Sequence, residues 1–121
     1  MIPRPLRLAL FAFACLAVAW ASLVPTTALP GVSLWDKAEH AGAYLVLTVL
    51  GAAAFPARLT RLTVGLFIGG VGIELLQSLM GLGRQGDPAD ALANTLGIAL
   101  GLGVTLAIRA LSAPRSRAPG E

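Results

Sequence analysis

Four long apolar stretches, cut apart by proline, glycine and arginine, leave this chain few ways to fold. They run roughly over 6–24, 36–55, 62–80 and 87–111. Each is close to the length that carries an α-helix across about 30 Å of hydrocarbon. Their hydrophobicity is continuous rather than alternating, which argues against strands. A membrane-spanning barrel would also need many more segments than 121 residues divided in this way supply. The expected fold is all-α: an integral membrane bundle of four transmembrane helices in one domain, 1–111. A Pro-, Arg- and Ser-rich tail, 112–121, is expected to be disordered and cytoplasmic.

Composition narrows the function classes. Charged residues make up 12% of the chain, about half the share of an average soluble domain, so no room remains for a soluble domain beside the spans. The net charge of +3 does not point to nucleic acid. The basic residues stand singly beside apolar stretches, and no aromatic-basic face accompanies them. Cys15, the single cysteine, lies inside the first apolar run. It can form no internal disulfide, and the expected role is a packed thiol. Arg4 and Arg7 precede that run, and Ala19-Trp20-Ala21 resembles a signal-peptidase site. The run continues to Val24, so a retained first helix is expected.

Local signals set the helix ends. Pro25 breaks the first stretch, and Pro30 and Gly31 mark a turn-rich loop. Asp36 is expected to cap the second helix, with Glu39 three residues on in a capping-box-like pattern. Pro56 ends that helix. Gly81 and Gly83 end the third. Asp87 suits an N-cap and Pro88 the first helical position, which leaves Asp90 in the first turn, favoured by the helix dipole. Gly65 and Gly69, and likewise Gly97 and Gly101, are spaced for close helix contact.

Lysine and arginine fix the expected orientation. With four spans, Arg4, Arg7, Arg58, Arg61, Arg109, Arg115 and Arg117 fall on one side, and Lys37 and Arg84 on the other. That bias puts both termini in the cytoplasm and both polar loops outside, at a bacterial inner membrane.

Three polar clusters then converge at the outer end. Asp36, Lys37, His40 and Tyr44 lie along the second helix, Glu74 and Gln77 along the third, and Arg84, Asp87, Asp90 and Asn94 at the start of the fourth. Ionisable groups are costly in hydrocarbon and, where kept, are usually functional. Lys37 and Arg84 can hold a phosphate, the guanidinium through paired bonds. His40 can move a proton near neutral pH. Glu74 and Asp90 can act as bases, orient His40 or hold a metal. Gln77, Asn94 and Tyr44 can orient a headgroup. Each also has a plainer role: Asp36 and Asp87 as caps, Lys37 as an interfacial anchor, Tyr44 as a packed ring, Asn94 as a helix bridge, Glu74 as half of an ion pair. No nucleophile elbow, phosphate-binding glycine loop or established metal-ligand spacing occurs, so the residues alone name neither a reaction, a cofactor nor a metal.

The order D-K-x-x-H-x-x-x-Y, then E-x-x-Q, then R-x-x-D-x-x-D-x-x-x-N-x-x-G resembles the VanZ-like family of bacterial membrane proteins. Its residues here are Asp36, Lys37, His40, Tyr44, Glu74, Gln77, Arg84, Asp87, Asp90, Asn94 and Gly97, and the resemblance covers roughly 8–110. Asp87 departs from it, since family members often carry serine or another small polar residue there. The resemblance implies a small polytopic protein of the cell envelope, in a family linked to glycopeptide (teicoplanin) resistance. The expected function is recognition, or chemical processing, of a phosphorylated lipid carrier or cell-wall precursor, with membrane lipids as partners. In the enzymatic form His40, Glu74 and Asp90 are the catalytic residues. Asp36, Lys37, Tyr44, Gln77, Arg84, Asp87 and Asn94 bind the ligand. The alternatives are a proton-linked small transporter and a structural membrane subunit without catalysis.

The topology is directly testable. A cysteine introduced at position 85 should label from outside the cell, and one at position 59 only after permeabilisation. The reverse pattern would overturn the orientation.

Overall fold

The computed structural model describes residues 1–24, 34–81 and 85–114, with side chains in the second segment from Asp36 onward. Arg84, Arg115, Arg117, the loop around Pro30 and the tail beyond 114 lie outside the described residues. Among the described residues four helices follow one another: α1 (Arg4–Leu23), α2 (Leu34–Ala54), α3 (Leu59–Met80) and α4 (Pro88–Ser112). The described residues contain no strand.

Three of these helices, α1, α3 and α4, are long and apolar enough to cross a membrane. Helix α2 has 21 residues and matches them in length. Its first two turns, however, carry Asp36, Lys37, Glu39 and His40, which lowers its average hydropathy. The molecule's outward surface is apolar on several sides, with Phe13, Leu16 and Trp20 of α1 and Leu79, Leu92 and Leu111 all exposed. Soluble monomers rarely leave apolar patches of that extent uncovered, whereas lipid covers them without cost.

Helix ends follow the expected signals at the start of α4 and at the ends of α1, α2 and α3. Pro3 stands just before α1 and Pro5 lies within its first turn. Asp87 caps α4, its side chain accepting the Ala89 N–H at 2.8 Å. Gly81 closes α3 in the left-handed conformation, φ 61°, which glycine adopts without a Cβ penalty. Helix α2 differs. It begins at Leu34, so Asp36 lies inside the first turn rather than capping it, and Asp36 with Glu39 forms no capping box. Leu34 and Trp35 extend the helix because the helix-breaking residues stop upstream of them, at Pro30 and Gly31.

Helices α2 and α4 make the most extensive contact of the bundle. Two glycines permit it. A Cβ at Gly97 would overlap the Ala41 carbonyl, and one at Gly101 would lie 2.7 Å from Thr48 Cβ and 2.8 Å from the Leu45 carbonyl oxygen. The other expected pair, Gly65 and Gly69, faces open space. Helix α3 packs its other faces, so that small-residue spacing marks no tight contact within the chain. Tyr44, Leu47 and Ile98 form the buried centre, with Val18 and Leu66 packed against it.

Helix α1 lies across α2 and α3. Phe11 meets Phe55 edge to face at a centroid distance of 5.8 Å. Arg7 Nη1 donates to the Ala53 carbonyl at 2.7 Å and Arg109 Nη2 to that of Pro56 at 3.0 Å. These bonds gather Arg7 and Arg109 beside the α2–α3 turn, near Arg58 before α3 and Arg61 in its first turn. One end of the bundle is therefore basic. The polar clusters occupy the other.

The glycine contact predicts a contrast. Gly97→Ala should destabilise the detergent-solubilised protein by about 1–3 kcal/mol, the usual cost of overpacking. Gly69→Ala should be neutral or slightly stabilising, since glycine inside a helix costs about 0.5–1 kcal/mol relative to alanine. Thermal unfolding of the two variants side by side checks this.

Candidate functional site

The polar end is assembled by the start of α2, the end of α3 and the start of α4, with the end of α1 alongside. Lys37 and His40 lie one turn apart on the side of α2 that meets α4, and Tyr44, a turn further on, sets its hydroxyl against α3. Asp87 and Asp90 are three apart across the first turn of α4, and Asn94 follows one turn below. The glycine contact further down holds the two helix starts close enough for these side chains to touch.

Lys37 joins the helices. Its ammonium donates to Asp87 Oδ2 at 2.7 Å and also to Asp90 Oδ1. Asp87 thus has two tasks, since its Oδ1 caps α4 while its Oδ2 takes Lys37. The Lys37 bond first, and then the Ala89 N–H, hold the Asp87 carboxyl below the ordinary aspartate range. An ammonium has three donors, so two aspartates leave one for a ligand.

One turn down, His40 Nδ1 pairs with Asn94 Oδ1 at 3.0 Å. An amide oxygen only accepts, so Nδ1 carries the proton of this bond. The opposite ring nitrogen, Nε2, faces Asp90 Oδ2 at 3.6 Å. Asp36, His40 and Asp90 each offer a ligand atom, and all three atoms lie within 4.8 Å of one another.

Glu74 approaches the same corner from α3. Its Oε2 accepts the Asp87 N–H at 3.1 Å. Its Oε1 is buried and has no hydrogen-bond partner among the described residues. Ser78, one turn on, accepts the Gly86 N–H at 3.0 Å and so orders the entry to α4. Gln77 turns the other way, toward α1, and donates to the Ser22 carbonyl at 2.6 Å.

The expected site residues therefore separate into groups. Asp36, Lys37, His40, Asp87, Asp90 and Asn94 converge, and Glu74 touches them through the Asp87 backbone. Gln77 fastens α1 to α3. Tyr44 lies beneath the cluster, 4% exposed, with its hydroxyl against Gly70 of α3. Arg84 is outside the described residues. The tie between Gln77 and Ser22, and the role of Ser78, were not anticipated. The signal for Ser78 was its i+4 spacing from Glu74 beside a glycine-rich turn. For Ser22 there was none, because a backbone carbonyl has no sequence signature.

Two depressions adjoin the site. A cleft of about 130 Å³ between α1 and α2 is lined by Ser22, Asp36, Glu39, His40 and Tyr44. An apolar groove of about 460 Å³ runs between α1, α2 and α3, past Phe11, Val18, Tyr44, Leu47 and Leu66, and reaches Arg58 and Arg61 at its far end. Tyr44 borders both. Compared with protein-family models, with curated proteins and with solved structures, the chain matches none.

The Asp87 bond gives a pH signature. Because the folded carboxyl titrates below its unfolded value, its stabilisation is complete above about pH 4 and is lost as pH falls through the folded value. Asp87→Asn keeps a good cap but removes the charge. The difference in melting temperature between wild type and Asp87→Asn should stay constant from about pH 7 to about pH 5 and close only below about pH 4.

Proposed function

We propose that this chain is a VanZ-like protein of a bacterial inner membrane, with four spans, both termini cytoplasmic and the polar end outside. There it recognises an amphiphile with a phosphorylated headgroup, a lipid carrier or cell-wall precursor. The observation that carries the reading is the position of Tyr44, at the junction of an apolar groove and a polar cleft. A lipid needs such a pair of adjoining surfaces, one for the chain and one for the head. Lys37 keeps one donor for the headgroup, and Arg84 adds the planar fork suited to phosphate. His40, beside Asp90, supplies acid–base chemistry if the headgroup is processed.

One set of observations favours a second reading, a structural subunit. The cluster's polar groups largely satisfy one another: Lys37 with two aspartates, His40 with Asn94, Glu74 with the Asp87 N–H. A proton-linked transporter receives less support. Between the cluster and the basic end, the buried hydroxyls of Thr48 and Thr105 bond to carbonyls of their own helices, at 2.7 and 2.8 Å.

Native mass spectrometry of the purified protein separates these readings. The wild type should retain a phosphorylated lipid. Arg84→Lys and His40→Gln should lose it while remaining folded, since lysine keeps the charge of Arg84 but not its paired bonds. Unchanged retention with stability lost in both variants would favour the structural subunit. Loss of lipid only in the double variant Arg58→Gln/Arg61→Gln would place the headgroup at the basic end and overturn the proposal.

A further inference from the structure

The facing of His40 and Asp90 is chemically incomplete. With Nδ1 committed as donor to Asn94, a neutral ring presents a lone pair at Nε2 to a carboxylate oxygen 3.6 Å away. Two electron-pair donors in that position are complete only with a proton on Nε2 or a metal cation between them. Lys37 does not fill the role, because its ammonium takes the other oxygen of Asp90. Asp36 brings a third donor, with all three within 4.8 Å of one another. Donors about 2.1 Å from a tetrahedral zinc ion stand about 3.4 Å apart, so the His40–Asp90 spacing needs only a slight closure.

The surroundings suit an ion. Fixing one imidazole nitrogen by an amide or carboxylate is the usual way a metal-bound histidine is oriented, and Asn94 does this here. The buried Glu74 adds a further carboxylate to the corner, with one oxygen unpartnered among the described residues. Two of the three donors, Asp36 and His40, line the cleft between α1 and α2 together with Glu39, while Asp90 reaches His40 from α4. One nitrogen with two carboxylate oxygens fits zinc and its first-row neighbours, whereas magnesium and calcium prefer all-oxygen sites.

We infer that Asp36, His40 and Asp90 form a binding site for one divalent transition-metal ion of the zinc type, beside the cleft between α1 and α2. Three protein donors leave a coordination position open to water or to an anionic oxygen of an entering ligand. The site does not depend on lipid recognition, and either can fail alone, but a metal ion on Nε2 excludes the acid–base role of His40 in headgroup processing.

The chain has one histidine, which makes the test direct. Full-length protein without a polyhistidine tag is labelled with ¹⁵N-histidine, stripped with chelator in detergent, and titrated with Zn²⁺ and, in parallel, Mg²⁺. One equivalent of Zn²⁺ should move the Nε2 resonance to a metal-bound position while Nδ1 keeps its proton. Mg²⁺ should not. Asp36→Asn should weaken Zn²⁺ binding by on the order of 10- to 100-fold or more, the range that loss of even an outer-shell partner produces. Glu39→Gln, which alters the same cleft outside the donor set, should leave it unchanged. A wild-type ring that ignores Zn²⁺, or that is simply an imidazolium against Asp90, overturns the inference without recourse to any variant. So does Zn²⁺ binding that Glu39→Gln weakens as much as Asp36→Asn does.

Discussion

Lys37 bonds two aspartates at the start of α4, and most of the polar end is arranged around that contact. It exists because α2 and α4 approach closely enough for Gly97 to meet the Ala41 carbonyl. Any side chain at Gly97 would push the helices apart and lengthen each bond above it. The order of causes runs from glycine spacing to helix separation to the ion pairs, and from there to the neighbours. The backbone N–H of Asp87, at the same corner, is taken by Glu74. Asp90 is oriented by Lys37 and then presents its second oxygen to His40. A paired charge of this kind is weak evidence for stability, since its desolvation offsets much of its attraction. Its clearer effect is register: a slip of one residue between α2 and α4 would break both aspartate bonds together.

The helices were legible because their signals are local. Pro56, Gly81 and the Asp87-Pro88 pair end or start helices within a residue or two of the expected places, since each acts through its own backbone geometry. The start of α2 departs from the expectation because Asp36 offers the same side chain at a cap and in a first turn, and only the upstream chain decides between them. Convergence of the clusters was legible from connectivity alone. Short links make neighbouring helices antiparallel, so the start of α2, the end of α3 and the start of α4 had to meet.

Partner choice was not legible. The sequence displays Lys37 as a cation and Gln77 as an amide, but not that aspartates take the first and the Ser22 carbonyl the second. Helical wheel arguments fix faces to within about one residue position, or 100°. Tyr44 shares a face with His40 yet lies a full turn deeper, where the bundle is apolar and the ring packs with Leu47 and Ile98. Glycine spacing was equally ambiguous. Gly65 and Gly69 carry the same motif as Gly97 and Gly101 but meet nothing within the chain, because spacing states where a helix permits approach and not which helix arrives.

The two ends of the molecule handle charge differently, and that difference bears on function. At the basic end, Arg7 and Arg109 bond to backbone carbonyls left open where α2 ends. Those bonds complete a helix terminus, although Arg7 Nε is buried without a partner among the described residues. At the polar end, carboxylates outnumber the ammonium that serves them among the described residues, and one buried oxygen of Glu74 is left without a partner. A phosphate entering such a corner would approach Lys37 past the carboxylates that already bond it. A cation held by Asp36, His40 and Asp90 offsets that negative charge. The acidic lining of the cleft and the recognition of an anionic headgroup are then compatible, with the ion as the contact between them.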